Sequence, residues 1–237
     1  MNTQKLLEEY KYKVELHTHT TPVSACSQIE PEALVHTYKE LGCDAVVITN
    51  HLSPVLFSHE GSDEDKTEYY LSDYRRAKAE GDKIGLTVIL GFEFRLTENN
   101  NDYLIYGVKE EDALPIYKYM TGTLMEFREG YKNPDMLFLQ AHPFRDGMTQ
   151  MDVSLLDGIE VFNMHPGHNS RVSLAAKYAS DNHLITVGGS DYHHHGLAGL
   201  IFARFKTLPR DSIELADLLR SGDYIFDLGG HAIVPNT

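Results

Sequence analysis

The sequence predicts an α/β protein, a mostly parallel sheet wrapped by crossover helices in one barrel-sized domain. Three observations lead there. Short apolar, β-branched runs alternate with longer helical ones along the chain. The length, 237 residues, suits one α/β barrel of about 250 residues. Ionisable side chains gather just past the C-terminal ends of the expected strands, where such barrels carry their sites.

Val14 to Leu16 reads as a short strand entering a histidine pair. Pro31 to Leu41 follows as a helix, acidic at its start (Glu30, Glu32) and closed by Gly42. Ala45 to Thr49 is an apolar β-branched run of the kind buried on both faces. Lys66 to Asp82 reads as a helix stopping near Gly81, and Leu86 to Leu90 as a strand. Asn99 to Asp102 marks a turn before a strand at Tyr103 to Val108. Ala113 to Gly130 reads as mostly helical. Met136 to Gln140 and Gly158 to Phe162 read as strands, and Arg171 to Asp181 as an Ala-rich helix. Strands at Leu184 to Val187 and Leu200 to Phe205 precede a last helix, Ser212 to Arg220, and a short extended piece, Tyr224 to Phe226. Leu52 to Asp65, polar and Gly-containing, is expected to be a mobile loop. No linker, low-complexity tract or repeat divides residues 1–237, so a single domain is expected.

Hydrophobic residues make up 42% and charged residues 24% of the chain, enough for an ordinary core. The formal net charge of -14 opposes phosphate backbones and argues against a nucleic-acid polymer as partner. A small anionic substrate stays compatible with it, because bound cations reverse the sign locally. Cys26 and Cys43 form no CxxC pair, which fits a reducing compartment better than a disulfide scaffold. Met1 to Glu9 lacks the apolar core of a signal peptide, and no stretch approaches the roughly 20 apolar residues of a membrane span. A soluble, cytoplasmic protein is expected. Nothing in the sequence indicates its oligomeric state.

The informative fact is where the ionisable residues fall. His17 and His19 follow the first strand, His51 follows Ala45 to Thr49, and Glu93 follows Leu86 to Leu90. His142 follows Met136 to Gln140, and Asp191 and His193 follow Leu184 to Val187. Imidazole and carboxylate suit Zn, Mn or Fe. Alternate residues of a strand share a face, so His17-x-His19 and Asp191-x-His193 can each aim two donors at one ion. One such histidine after a strand is ordinarily a surface residue. Five strands ending this way point to a shared metal centre, since burying so many ionisable groups without cations is costly.

These residues resemble the ordered motifs of the polymerase and histidinol phosphatase (PHP) family. The motifs are His17-Thr18-His19-Thr20, Ile48-Thr49-Asn50-His51, Gly91-Phe92-Glu93, Ala141-His142-Pro143 and Gly189-Ser190-Asp191-Tyr192-His193. Glu160-Val161-Phe162-Asn163 with Asn169-Ser170-Arg171 adds to them. The resemblance runs from about residue 13 to about residue 205 and implies a distorted (β/α)7 barrel with up to three divalent ions at its C-terminal mouth. It implies phosphoester hydrolysis of a small phosphate ester. By motif, one ion would take His17, His19, Glu93 and Asp191. A second would share Glu93 and take His142, and a third would take His51 and His193.

Three departures bear on the ion count. Where the family has an Asp or His soon after His-x-His, this chain has Pro22-Val23-Ser24-Ala25-Cys26. Cys26 is then either a thiolate ligand or, the plainer reading, a small buried hydrophobe. Asn101-Asp102-Tyr103 replaces a common His, leaving Asp102 as the candidate oxygen donor. Asn50 replaces an Asp and removes an anionic partner of the ligands. Two or three ions are therefore expected.

Paired cations would supply hydroxide near neutral pH and clamp phosphate oxygens. Glu93, Asp191 and His193 are the catalytic candidates, with Asp191 or His193 assisting proton transfer to the leaving oxygen. A phosphate also wants arginine, whose fork binds it bidentately. Arg145 and Arg171 are the candidates, with Arg95 third, and His168 is a further substrate contact. His165, His194 and His195 are weaker candidates that line the mouth. His36, His59, His183 and His231 are expected to be structural or solvated. Two rivals remain open: an amidohydrolase-type hydrolase, weakened by the lack of a lysine candidate for carboxylation, and a degenerate barrel that binds metal without turnover.

Overall fold

Described residues are 3–235 of a computed structural model, so Met1 and Asn2 of the expected leaderless N-terminus lie outside them. Thr3–Glu9 forms a short helix, α1, that the sequence reading did not assign. β1 (Tyr12–Thr18) carries both His17 and the last buried residues before His19. The crossover helix α2 (Pro31–Glu40) leads to β2 (Ala45–Ile48) and β3 (His51–Leu52).

Leu52 to Asp65 is not a structureless loop. It holds the end of β3, a 3-10 turn at Pro54–Ser58 and the start of α3 (Asp63–Ile84). Ser62 begins that helix with a reciprocal cap: its Oγ accepts from Asp65 N–H at 3.2 Å, and its own N–H donates to Asp65 Oδ2 at 2.9 Å. Gly85, at φ 73°, ends it.

β4 (Thr87–Leu90) is followed after one residue by β5 (Phe92–Phe94), so Glu93 lies inside a short strand instead of after one. β6 (Tyr103–Tyr106) follows. The expected long helix from Ala113 to Gly130 is two pieces, α4 (Ala113–Tyr117) and α5 (Leu124–Gly130), because Thr123 caps a fresh start with Glu126. β7 (Leu137–Gln140), β8 (Gly158–Asn163), α6 (Val172–Asp181) and β9 (Ile185–Gly189) come next. The chain closes with β10 (Phe202–Phe205), α7 (Ser212–Arg220), β11 (Tyr224–Leu228) and β12 (His231–Ile233).

The sheets are mixed, not mainly parallel. One has the order β12-β11-β10-β1-β2-β4 and the other β3-β5-β6-β7-β8-β9. Parallel pairs occur where a helix crosses over: β1 with β2, β2 with β4, β8 with β9. β6 runs antiparallel to β5 and β7, since the turn before it has no crossover helix. β10, β11 and β12 add antiparallel pairs beside β1. Side chains such as Leu16, Leu104, Leu139, Ala203 and Phe205 pack between the strands in one buried cluster. Among the described residues no helix is long and apolar enough to cross a membrane.

Two joins connect the sheets. β2 runs on into β3 and β4 into β5, so one strand pair belongs to each sheet. At the other side a parallel bridge joins Thr18 to Tyr192. There His19 N–H donates to Tyr192 O at 3.1 Å and Tyr192 N–H to His17 O at 3.3 Å. Glu15, fully buried, ties the same seam. Its carboxylate accepts from Ser190 N–H at 2.9 Å, Ser190 Oγ at 2.5 Å and Tyr38 Oη at 3.0 Å. Burial pushes this carboxyl up to about 7, even against those donors.

The seam is tight at Gly189, where a Cβ would lie 2.3 Å from His17 Cβ. Gly189→Ala must therefore push β9 from β1 and is expected to destabilise by about 1–3 kcal/mol. Thermal unfolding reads this, and an unchanged midpoint would refute the close approach.

Candidate metal centre

The His-x-His pair behaves as strand alternation requires. His17 and His19 are both fully buried, and their Nε2 atoms lie 3.0 Å apart. Asp191 Oδ1 is 3.4 Å from His17 Nε2 and 3.3 Å from His19 Nε2. Glu93 approaches both as well, with Oε1 3.4 Å from His17 and Oε2 3.3 Å from His19. His51 Nδ1 lies 2.6 Å from Glu93 Oε2, and His142 Nε2 lies 3.0 Å from Glu93 Oε1. His193 Nδ1 lies 3.3 Å from Asp191 Oδ1. All seven side chains singled out in the sequence thus meet in one place.

Three sets of donor atoms lie mutually within 4.8 Å: His17, His19 and Asp191; His19, His51 and His193; His51, Glu93 and Asp102. Hydrogen bonding does not account for the arrangement. His142 Nδ1 is buried without a hydrogen-bond partner, and Glu93 Oε2 has only ion-pair contacts with His51 and His19, out of hydrogen-bond geometry. Two imidazole nitrogens facing each other between carboxylates is a donor set that a cation satisfies and a proton does only in part. The residues fit a divalent-metal centre on these grounds.

Local backbone aims the donors. His142 and Asp191 take positive φ values of 30° and 48° just beyond β7 and β9. Non-glycine residues rarely adopt this region, and it clusters at functional sites. Glu160 on β8, assigned no role from the sequence, accepts from His17 Nδ1 at 2.8 Å and from His142 N–H at 3.0 Å. It fixes the His17 tautomer and leaves Nε2 to face the centre. Asn163 bridges Glu160 and Asp191 through Nδ2 at 3.0 and 3.1 Å. Asn50 accepts from Thr20 N–H at 2.7 Å and Ser24 Oγ at 3.0 Å, pinning the turn after His19. Strand alternation already puts Glu15 and His17 on one face, a signal that could have found Glu15. Glu160 showed only as part of the family motif.

Protons share in the charge balance. Burial disfavours the His17 cation, but Glu160, Asp191 and Glu93 lift its pKa well above the histidine range. His51 is raised against burial by Glu93 and Cys26, and His193 rises to about 9 beside Asp191. His19 is depressed by burial and then by His193 and His51. Burial would raise Glu93, yet His51 and His17 hold it well below the carboxylate range. His17 and His19 do the same for Asp191.

The centre floors a cleft of about 440 Å³. Its lining includes the apolar Val23, Val55 and Leu56 and the basic or imidazole side chains of Arg145, His165, His168 and His194. Cys26 is exposed on the cleft wall, so it is no buried filler. Partial burial opposes its ionisation, but His193 and His51 bring its thiol down to about 6. Arg145 has no ion pair among the described residues, whereas Arg75, Arg76, Arg95, Arg128, Arg171, Arg204, Arg210 and Arg220 each have a carboxylate partner. Arg171 does not line the cleft. It donates to Phe144 O and to Asp146 Oδ1, both at 2.6 Å, and so braces the loop carrying Arg145. His36 pairs with Glu80 at the surface and His59 stacks on Tyr69.

The comparisons agree with this geometry. The PHP domain profile matches residues 15–201. A two-domain protein from Bacteroides vulgatus ATCC 8482, containing a predicted PHP-like metal-dependent phosphoesterase, is similar at 16% identity and a TM-score of 0.59. That alignment covers 91% of this chain, which spans only 64% of the Bacteroides chain. PsfC from Pseudomonas syringae PB-5123 is similar at 19% identity and a TM-score of 0.61, over 87% of each chain. At these identities the likeness speaks for the fold. No curated protein sequence matches. The profile match spans most of the sequence and contains all seven converging side chains, and on that match the chain belongs to the PHP domain family.

Proposed function

We propose that this protein is a metal-dependent phosphoesterase that hydrolyses a small phosphate ester, a phosphomonoester or nucleotide. The observation that carries the reading is the convergence of five imidazoles with Glu93 and Asp191 on one buried point of the cleft floor. The motif order and the names of the similar structures support it. The near-continuous run from β1 through β2/β3, β4/β5, β6, β7 and β8 to β9, with the Thr18–Tyr192 bridge, supports a distorted seven-stranded barrel with the centre at its mouth.

His17, His19, His51, Glu93, His142, Asp191 and His193 would hold two or three divalent ions, of Zn, Mn or Fe type. Such ions supply a hydroxide nucleophile near neutral pH and polarise phosphate oxygens. Arg145, free of any carboxylate, orients the phosphate with its planar fork. His168 lies beside it, and burial, then Arg145, lowers its pKa, so it offers a neutral imidazole to the substrate. His193 reaches the cleft as well, and it can pass a proton to the leaving oxygen only where it does not itself hold an ion. Glu93 and Asp191 hold the imidazoles in register. A net charge of -14 leaves little outside this centre to attract an anion, so selectivity for phosphate is local.

Phosphate release from a panel of nucleotides and phosphomonoesters with Mn²⁺ tests the reading, and no release from any of them would sink it. Glu93→Ala and Asp191→Ala are each expected to lower kcat/KM by about 10³-fold or more while the chain stays folded, about 4 kcal/mol of transition-state stabilisation. Full activity in either variant refutes the assigned roles.

A pH dependence follows. A cation must displace the protons that the raised imidazoles of His17, His51 and His193 hold, so loading releases protons and tightens as pH rises towards about 9. Calorimetric titration in buffers of different ionisation enthalpy measures the release, and a pH-independent affinity would contradict it.

A further inference from the structure

Among the described residues, Asp102 is the expected oxygen donor of the centre that an arginine already holds. It is 1% exposed and lies at the cleft floor. Arg95, on the turn between β5 and β6, grips it with both ends of the fork: Nε to Oδ1 at 2.6 Å and Nη2 to Oδ2 at 2.5 Å. Around this pair stand Glu93, with His142 Nε2 on its Oε1 at 3.0 Å, and His142 itself, 3.8 Å from Asp102 Oδ2. These are the side chains that a second ion would use. Of the three donor sets within 4.8 Å, the one that contains Asp102 also takes His51 and Glu93, while His17 with His19 and Asp191, and His19 with His51 and His193, show no arginine contact among the described residues.

Resting on the metal-centre reading above, we propose that Arg95, anchored by Asp102, takes the place of one divalent cation, so that the centre binds two ions and uses a guanidinium as its third positive charge. The argument is one of satisfied valence and repulsion. A buried carboxylate needs a partner, and a bidentate guanidinium supplies one in full. An ion entering between Glu93, His142 and Asp102 would have to break that fork and then sit beside a fixed positive charge. Arg95 lines the cleft and its Nη1 takes no part in the Asp102 pair, so a donor remains for a phosphate oxygen.

The test counts metal. Chelator-stripped protein is titrated with Mn²⁺ and with Zn²⁺ by calorimetry, and reconstituted protein is assayed for metal per chain by plasma mass spectrometry. The expected result is two ions per chain, and two again in Asp102→Asn. Arg95→Met frees the Asp102 carboxylate and should bind one more ion, with the double variant Arg95→Met/Asp102→Asn returning to two. Three tight ions in the unaltered protein, or no added ion in a folded Arg95→Met, overturns the proposal. Should Arg95→Met fail to fold by circular dichroism, Asp102→Asn decides alone: an unchanged count supports the proposal and the loss of an ion overturns it. Protein that takes up no metal at any site refutes the metal centre itself, which separates the two failures.

Discussion

The structure depends on one electrostatic constraint: Glu93 and Asp191 are almost wholly buried among imidazoles, and their charges must be balanced inside the protein. Glu93 is 1% exposed and Asp191 4%. An ionised carboxylate moved out of water without compensation costs many kcal/mol. Here the compensation comes from neighbours on or just past separate strands, His17 on β1 and His19 just beyond it, His51 on β3, and His193 beyond β9. None of these groups is tolerable alone in that interior. The cluster is therefore cooperative, and the fold must deliver every member to within hydrogen-bonding distance at once.

That delivery explains features that look unrelated along the chain. Gly189 lets β9 approach β1 closely enough for Asp191 to reach both imidazoles of the pair. Glu15 binds Ser190 through its amide and its hydroxyl and keeps the approach in register. Positive φ at His142 and Asp191 turns their side chains into the cleft at a cost of about 1–3 kcal/mol each. Such strain persists only where the surroundings over-determine it, and Glu160 supplies that at His142 by accepting from its backbone N–H. Tyr106 Oη adds a further brace by donating to Leu16 O at 3.0 Å.

The converging side chains were legible in the sequence because metal-type donors recur in one positional slot, and chance fills such a slot poorly. Strand and helix positions followed from period and from caps, as at Pro31 and Gly42. Strand direction did not. The reversal of β6 depends on a turn without a crossover helix, and a run such as Tyr103 to Tyr106 has the same composition in either direction. The break at Thr123 was hidden inside a plausible helical stretch, although Thr123 and Glu126 carry the capping signature. Glu160 could not be separated from an ordinary strand residue by pattern alone. Its role exists only once β8 is set beside β1 and β7. Arg145, at a strand end, and Arg171, at a helix start, looked equally suited to a phosphate. Only the partners of each guanidinium tell them apart.

That difference between arginines bears on how an acidic protein can take an anionic substrate. With 35 acidic and 21 basic residues, nearly every guanidinium finds a carboxylate. Arg145 escapes because its loop is held from both sides by Arg171, through Phe144 O and Asp146. One arginine spends its charge and donors on geometry so that another keeps both for the cleft. Val23, Val55 and Leu56 line the same cleft and offer a phosphate nothing. The cleft thus offers both kinds of surface that the proposed ester would need, apolar for its organic part and basic or imidazole for its charge. Glu93, His142, Asp191 and His193 line that same cleft, which is what the proposed hydrolysis requires of it.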